Sequence, residues 1–202
     1  MKNIFILISF LPMVLFAQQR DSRTREYLSP VRVVWQQEGQ LIQGLDNLLL
    51  SGNGQSDLVN RNICKITSTD KCHPAILLDF GKELQGGLQI VTGAPAIHDP
   101  ITVRIRLGES VGEAMCDVNG VNGATNDHAM RDFIIKLPWL GVMEVGNSGF
   151  RFVRIDVLDD SVELQLKEVR AISIFRDIPY KGSFRCNDER LNRIWQTGAY
   201  TV

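Results

Sequence analysis

Two glutamates, two tryptophans and a histidine are the residues of this chain whose types best suit chemistry on a ligand. Glu109 and Glu113 form a spaced carboxylate pair, as general acid–base hydrolysis requires. The two would share a face only on a helix, and the residues before them alternate like a strand, so a loop or structural role is favoured. Trp35 and Trp139 are candidate stacking platforms for a sugar, with partial burial in a core as the alternative. His128 is a candidate partner for a sugar hydroxyl, with an ordinary surface histidine as the alternative.

Four cysteines remain open to several interpretations: Cys64, Cys72, Cys116 and Cys186. Cys64 and Cys72 flank a polar stretch that could fold back as a hairpin loop, which would allow a disulfide. Free buried thiols are the favoured interpretation. Zinc held by Cys64, Cys72 and His73 is disfavoured because no second closely spaced ligand pair supports it. Neither a P-loop nor a GxGxxG motif is present, and no cofactor is predicted.

The first seventeen residues have the pattern of an export signal. Lys2 provides a positive start, Ile4–Phe16 is apolar, and Leu15–Ala17 precedes a plausible cleavage point at Gln18. We therefore predict an exported protein, periplasmic or extracellular, with no membrane attachment after cleavage. The formal net charge is -1. Removal of Lys2 with the signal peptide makes the net charge about -2, so the chain lacks the excess of positive charge that is typical of nucleic-acid binding.

Short β-strand candidates recur along the chain, separated by Gly, Asn, Asp and Pro. The clearest is Ile101–Leu107, in which apolar residues alternate with Thr102, Arg104 and Arg106. The other candidates are 32–35, 76–80, 88–91, 133–137, 150–157, 162–166 and 169–175. No amphipathic helix pattern interrupts them. This pattern predicts an all-β fold, an antiparallel, jelly-roll-like β-sandwich.

Helix chemistry begins only near the C-terminus. Asn187 or Asp188 is a candidate N-cap. An apolar stripe follows at helical spacing, formed by Leu191, Ile194, Trp195 and Val202. We therefore expect four segments: a signal peptide at 1–17, a lead-in at 18–30, the sandwich at 31–180, and a linker with one helix at 181–202. We expect the stripe to pack on a domain that lies beyond this sequence.

Five segments, in this order and spacing, resemble the N-terminal β-sandwich of bacterial α-L-rhamnosidase-like glycoside hydrolases. They are Leu77–Ile90, Val103–Met115, Asn126–Phe133, Gly146–Asp156 and Gly182–Trp195. The last segment resembles the junction at which the first helix of an (α/α)6 catalytic barrel begins. The resemblance covers about Leu77 to Val202.

The resemblance implies a non-catalytic sandwich that supports a carbohydrate-degrading barrel. In the family, the general acid and the general base lie in the barrel, and no residue of this chain matches them. The chain alone is therefore predicted to be inactive, whereas the whole protein would hydrolyse rhamnosyl bonds of a rhamnose-containing glycan. The alternative is a stand-alone, lectin-like carbohydrate-binding module.

Overall fold

The computed structural model describes residues 22–59, 61–118 and 131–201, and the architecture within them is an antiparallel β-sandwich. The predicted signal peptide and His128 lie outside these residues. The nine strands are β1 (Thr24–Leu28), β2 (Arg32–Gln37), β3 (Ile42–Gln43), β4 (Cys64–Thr67), β5 (Ala75–Thr92), β6 (Ile101–Gly108), β7 (Asp132–Leu137), β8 (Val142–Val157) and β9 (Glu163–Phe175). Two 3-10 helices, Gly39–Leu41 and Leu45–Leu49, and two α-helices, α1 (Val111–Met115) and α2 (Glu189–Tyr200), complete the described elements. Neither α-helix is long and apolar enough to cross a membrane.

Two layers of strands face each other, and the long strands β5 and β8 run through both. The first half of β5 pairs with β2 and with the second half of β8, which continues to β6 and β7. The second half of β5 pairs with β9 and with the first half of β8. The far edge of β9 carries β1 and β4, and β3 pairs with β4.

The strands cross from one layer to the other at β-bulges. The register of β5 against β8 shifts between Asp79 and Leu84 and again between Gly86 and Leu88. A bulge bends a strand and increases its twist without ending the ladder. Gly86 is required at this bend because its φ is +148° and an added Cβ would lie 1.9 Å from the carbonyl oxygen of Ile172.

This continuity corrects three predicted strand boundaries. Segments 76–80 and 88–91 were expected to be separate strands, but both belong to β5. Segments 162–166 and 169–175 likewise join in β9, and β8 begins eight residues before the predicted 150–157. The predicted lead-in contains β1, which pairs with the C-terminal part of β9, from Ala171 to Phe175.

Alternating residues of both layers fill one core between them. Its fully buried members include Ile76, Leu78, Leu88, Ile90, Ile105, Phe150, Ile155, Leu166 and Val169. Phe80 and Phe150 meet edge to face, with ring centroids 5.9 Å apart. Phe152 lies outside this core and packs with Leu77 and Ala114 in a second cluster beneath α1.

The C-terminal helix α2 forms where the sequence predicts it. Asp188 caps its start, since Oδ1 accepts hydrogen bonds from the backbone N–H groups of Arg190 (2.9 Å) and Leu191 (3.4 Å). No residue of α2 is buried: Leu191 is 47% exposed and Ile194 is 58% exposed. The ring of Trp195 lies 6.4 Å from that of Tyr180. The helix therefore presents an apolar stripe that the described part of the chain leaves uncovered; Val202 lies outside that part.

Candidate functional site

Trp35 lies on the edge strand β2 and is half-buried. It packs against the second hydrophobic cluster, and the guanidinium carbon of Arg154 lies 5.0 Å from its ring centroid. Trp35 also lines an open cleft of about 480 Å³ together with Gln36 and Asp46. The ring therefore has a structural contact and a neighbouring cleft, and its sugar-stacking role stays a prediction.

Trp139 is held by the loop that precedes β6. Its indole N–H donates to the carbonyl oxygen of Pro95 at 3.0 Å, and its ring lies 4.2 Å from that of His98. Trp139 borders a small apolar cavity that includes Leu164 and Gln165, a different place from the Trp35 cleft. The described residues thus do not bring the two tryptophans into one cleft, and His128 lies outside them.

Glu109 and Glu113 lie at the junction of β6 with α1. The Glu113 carboxylate accepts from the Glu109 N–H at 2.8 Å and from the Arg131 guanidinium at 3.2 Å. Arg131 also lies 3.6 Å from Glu109. Burial, together with these two neighbouring carboxylates, raises the pKa of Glu83. Glu113 and Arg131 thus connect the end of β6 to α1, and the structural role of the two glutamates stays a prediction.

The helix α1 was missed by the sequence interpretation although a local signal for it exists. Ser110 precedes the helix, and its Oγ accepts from the Glu113 N–H at 3.2 Å. Serine followed three residues later by glutamate is the capping-box pattern. Reading Ser110 and Glu113 in this way would have predicted the start of α1.

A buried carboxylate on β5 organises the nearby arginines. Asp79 is 1% exposed and receives two hydrogen bonds from Arg151, at 2.8 and 3.0 Å, and one from Arg32 at 2.8 Å. The Gly81 N–H also donates to it, at 2.7 Å. These donors, Arg151 first, lower the pKa of Asp79 to about 2. Arg151 thus pairs with Asp79, whereas Arg154 pairs with Asp156 at 2.6 Å.

The sequence SGNG forms part of a segment, residues 51–57, that lies across the outer face of β9; we call it the strap. Glu168 accepts two contacts from the Gly54 N–H, at 3.0 and 3.2 Å, and Arg170 donates to the Gly52 carbonyl oxygen at 3.3 Å. Lys167 donates to the Gln55 carbonyl oxygen at 2.8 Å.

Glycine is favoured where the strap touches β9, most strongly at Gly54. A Cβ on Gly52 would lie 2.1 Å from the Glu168 carboxylate, and one on Gly54 would lie 1.7 Å from the Arg170 guanidinium. Gly54 also has a φ of +73°. The two glycines of the strap therefore allow its backbone to approach charged side chains of the sheet closely.

A cleft of about 510 Å³ lies beside the strap. Its walls are residues of the 3-10 helix, of the strap, of the following loop and of β9: Asn47, Leu50, Ser51, Gly52, Asn53, Asp57, Val59, Arg61, Asn62, Lys167 and Glu168. We call this the strap cleft. Amide, hydroxyl and charged groups dominate its side chains, so hydrogen bonding to a polar ligand is the chemistry available there. Sequence reasoning missed it because its residues come from segments more than 100 positions apart.

All four cysteines are free, which leaves the considered Cys64–Cys72 disulfide unformed. Cys64 is buried, and burial raises the pKa of its thiol to about 12. The other three are half-buried rather than fully buried. Within the described ranges, no three His, Cys, Asp or Glu side chains are grouped to hold a metal ion.

The chain matches no protein-family model and no curated protein sequence. Its fold is similar to solved structures of two bacterial rhamnosidases. The first, a rhamnosidase from Klebsiella oxytoca with rhamnose bound, gives a TM-score of 0.58 at 13% identity over 85% of this chain. The second, a GH78 family rhamnosidase of Bacillus sp. GL1, gives 0.56 at 19% identity over 78% of this chain.

The described chain corresponds to only part of each of these proteins. It spans 33% of the Klebsiella chain and 15% of the Bacillus chain. At these identities the likeness shows a shared β-sandwich fold. The shared fold does not determine the function of this chain, on which its exposed surfaces bear.

Proposed function

We propose that this chain is the non-catalytic N-terminal β-sandwich of an exported α-L-rhamnosidase-like glycoside hydrolase, and that α2 packs against a helical catalytic domain. The observation that carries the proposal is the apolar stripe of α2. Leu191 and Ile194 are 47% and 58% exposed on a helix with a well-formed N-cap. Burying such side chains fully contributes about 1.5–3 kcal/mol each, so a packing partner would stabilise the helix considerably.

Two further observations support the same role. The fold is similar to that of two rhamnosidases, of which this chain spans a minor part. In addition, the Glu113 carboxylate is committed to hydrogen bonds at the β6–α1 junction, and the Glu109 carboxylate lies 3.6 Å from Arg131. The chemistry of glycosidic hydrolysis would then reside in the helical domain, with the sandwich as its support.

The nucleotide sequence downstream of the Val202 codon tests this proposal. We expect an open reading frame that continues with repeated amphipathic helices and contains candidate acid and base carboxylates. A stop codon at that point would contradict the proposal and favour the alternative, a stand-alone carbohydrate-binding module.

The alternative has an observation of its own. Two clefts, of about 480 and 510 Å³, flank the 3-10 helix Leu45–Leu49 and share Asn47. A binding module would hold sugar in such a cleft without any catalytic residue. Binding of a glycoside by the chain, with no partner domain present, is the measurement that would favour it.

A further inference from the structure

The strap cleft contains polar groups that the fold does not use. The Asn53 Oδ1 accepts from the Gln55 N–H at 3.1 Å, which leaves the Asn53 side-chain N–H donors free to face a ligand. Within the described parts of the chain, the Asn62 amide and the Ser51 hydroxyl make no hydrogen bond to protein. A side-chain amide donates hydrogen bonds through its nitrogen and accepts them through its oxygen. It therefore suits a pair of vicinal sugar hydroxyls, since a hydroxyl can also donate and accept.

The strap cleft is lined by two acids, Asp57 and Glu168, and two bases, Lys167 and Arg61, and Arg170 on β9 adds a third base beside Glu168. Lys167 contacts Asp57, and this hydrogen bond is the main cause of the lowered pKa of Asp57. Glu168 is neutralised by Arg170 at 3.3 Å. The Arg61 charge also contributes to the lowered pKa of Asp57, but its guanidinium makes no hydrogen bond and no ion pair within 4 Å with any described residue. Among the described lining residues, one positive charge is therefore left without a hydrogen-bonded partner.

Apolar side chains form the rim of the same cleft. Leu50 and Val59 are 49% and 56% exposed. A pyranose ring has C–H groups on one face and hydroxyl groups at its edge, so it can use an apolar rim and polar walls together. A ligand pocket with a few convergent polar groups on an apolar surround is the usual form of a small-molecule site.

We propose that the strap cleft binds an acidic saccharide, with a uronate carboxylate on Arg61 and sugar hydroxyls on Asn53 and Asn62. The inference rests on the proposed function only for the ligand class, carbohydrate. It adds the charge of the sugar and the place where it binds, and it uses no residue of α2. Lys167 and Glu168 hold the strap and thereby position Asn53.

A nuclear magnetic resonance titration of the 15N-labelled chain with two matched sugars tests the proposal. The sugars are methyl α-D-galactopyranosiduronate and methyl α-D-galactopyranoside, which differ only at C6. We expect the acid to bind with a Kd of about 1 mM and to shift the backbone amides of residues 51–53 and 61–62. The neutral sugar should bind about 2- to 5-fold more weakly, the range expected for one exposed ion pair.

Variants make the assignment specific. Arg61→Gln should remove the advantage of the acid and leave the neutral sugar unchanged, whereas Arg193→Gln, on the exposed face of α2, should change neither. Asn62 has a φ of +52°, so Asn62→Gly removes the amide without straining the backbone, and it should weaken both sugars. Ser161→Gly, at a φ of +53° between β8 and β9, is its matched control.

Three results would overturn the proposal. The first is the absence of amide shifts at sugar concentrations up to about 20 mM, well above the expected Kd. The others are equal affinity for the two sugars and shifts centred on the Trp35 indole N–H. None of these bears on the downstream sequence that tests the proposed function. Failure of one inference is therefore distinguishable from failure of the other.

Discussion

Replacement of the buried Asp79 by Asn should destabilise the sandwich by about 2 kcal/mol at pH 7. Asp79 is 1% exposed and accepts four hydrogen bonds, three of them from the guanidinium groups of Arg32 and Arg151. Its pKa falls from 3.8 to about 2. At 1.36 kcal/mol per pKa unit, that shift corresponds to about 2 kcal/mol.

The same shift fixes the pH dependence of the effect. Because the pKa of the folded state is depressed, the stabilisation is fully present above the ordinary pKa of 3.8 and is lost as the pH falls through about 2. The variant has no carboxylate at this position. The difference in free energy of unfolding between wild type and variant should therefore be constant from pH 7 to pH 5 and shrink between pH 4 and pH 2.

Urea denaturation followed by circular dichroism, repeated across this pH range, measures the difference. Asp70→Asn is the matched control because Asp70 is exposed in a bend and has no ion pair within the described chain. The control should change the free energy of unfolding by no more than about 0.5 kcal/mol. An Asp79→Asn effect as small as that of the control, or one that persists unchanged at pH 2, would refute the electrostatic reasoning.

Gly86→Ala should destabilise the fold by at least about 2 kcal/mol, because its Cβ would lie 1.9 Å from a backbone oxygen. Gly182→Ala, with open space around it, should be near neutral. Thermal melting compares the two variants, and equal melting temperatures would contradict the close backbone contact at the Gly86 bulge. Cys64, which is buried and whose thiol pKa is raised to about 12, should not react with a thiol reagent at pH 8 until the chain is unfolded. Mass spectrometry measures the labelling, and labelling of Cys64 in the native state would show that its thiol is accessible. Leu191 and Ile194 are exposed, so replacing both by Lys should leave the melting temperature of the chain unchanged. Sedimentation velocity should show less self-association of this variant than of the wild type. A large fall in melting temperature would mean that the stripe packs on the sandwich.

The sequence predicts the fold class and the best strand well, for a local reason. Ile101–Leu107 alternates with period two, and β6 spans Ile101–Gly108. The continuity of β5 was not predicted because Gly86 and Gly87 are turn signals locally. Here they serve a bulge, and the ladders to β8 and β9 carry the strand through it.

The candidate sites were harder to predict because they depend on contacts between distant segments. Asp79 and Arg151 are 72 positions apart, and the strap meets β9 across 114 positions, from Gly54 to Glu168. No periodicity or motif encodes such pairs. By contrast, the Asp188 cap and the stripe of α2 are local features, and the sequence predicts both.

Hydrolysis of 4-nitrophenyl α-L-rhamnopyranoside is the most direct test of the central claim, that this sandwich supports a separate helical catalytic domain. The assay compares the chain of residues 18–202 with the full product of the gene that encodes it. We predict turnover by the full product and none above buffer by residues 18–202. Turnover by residues 18–202 that disappears on substitution of Glu109 or Glu113, or a full product that has no helical domain, would contradict the account.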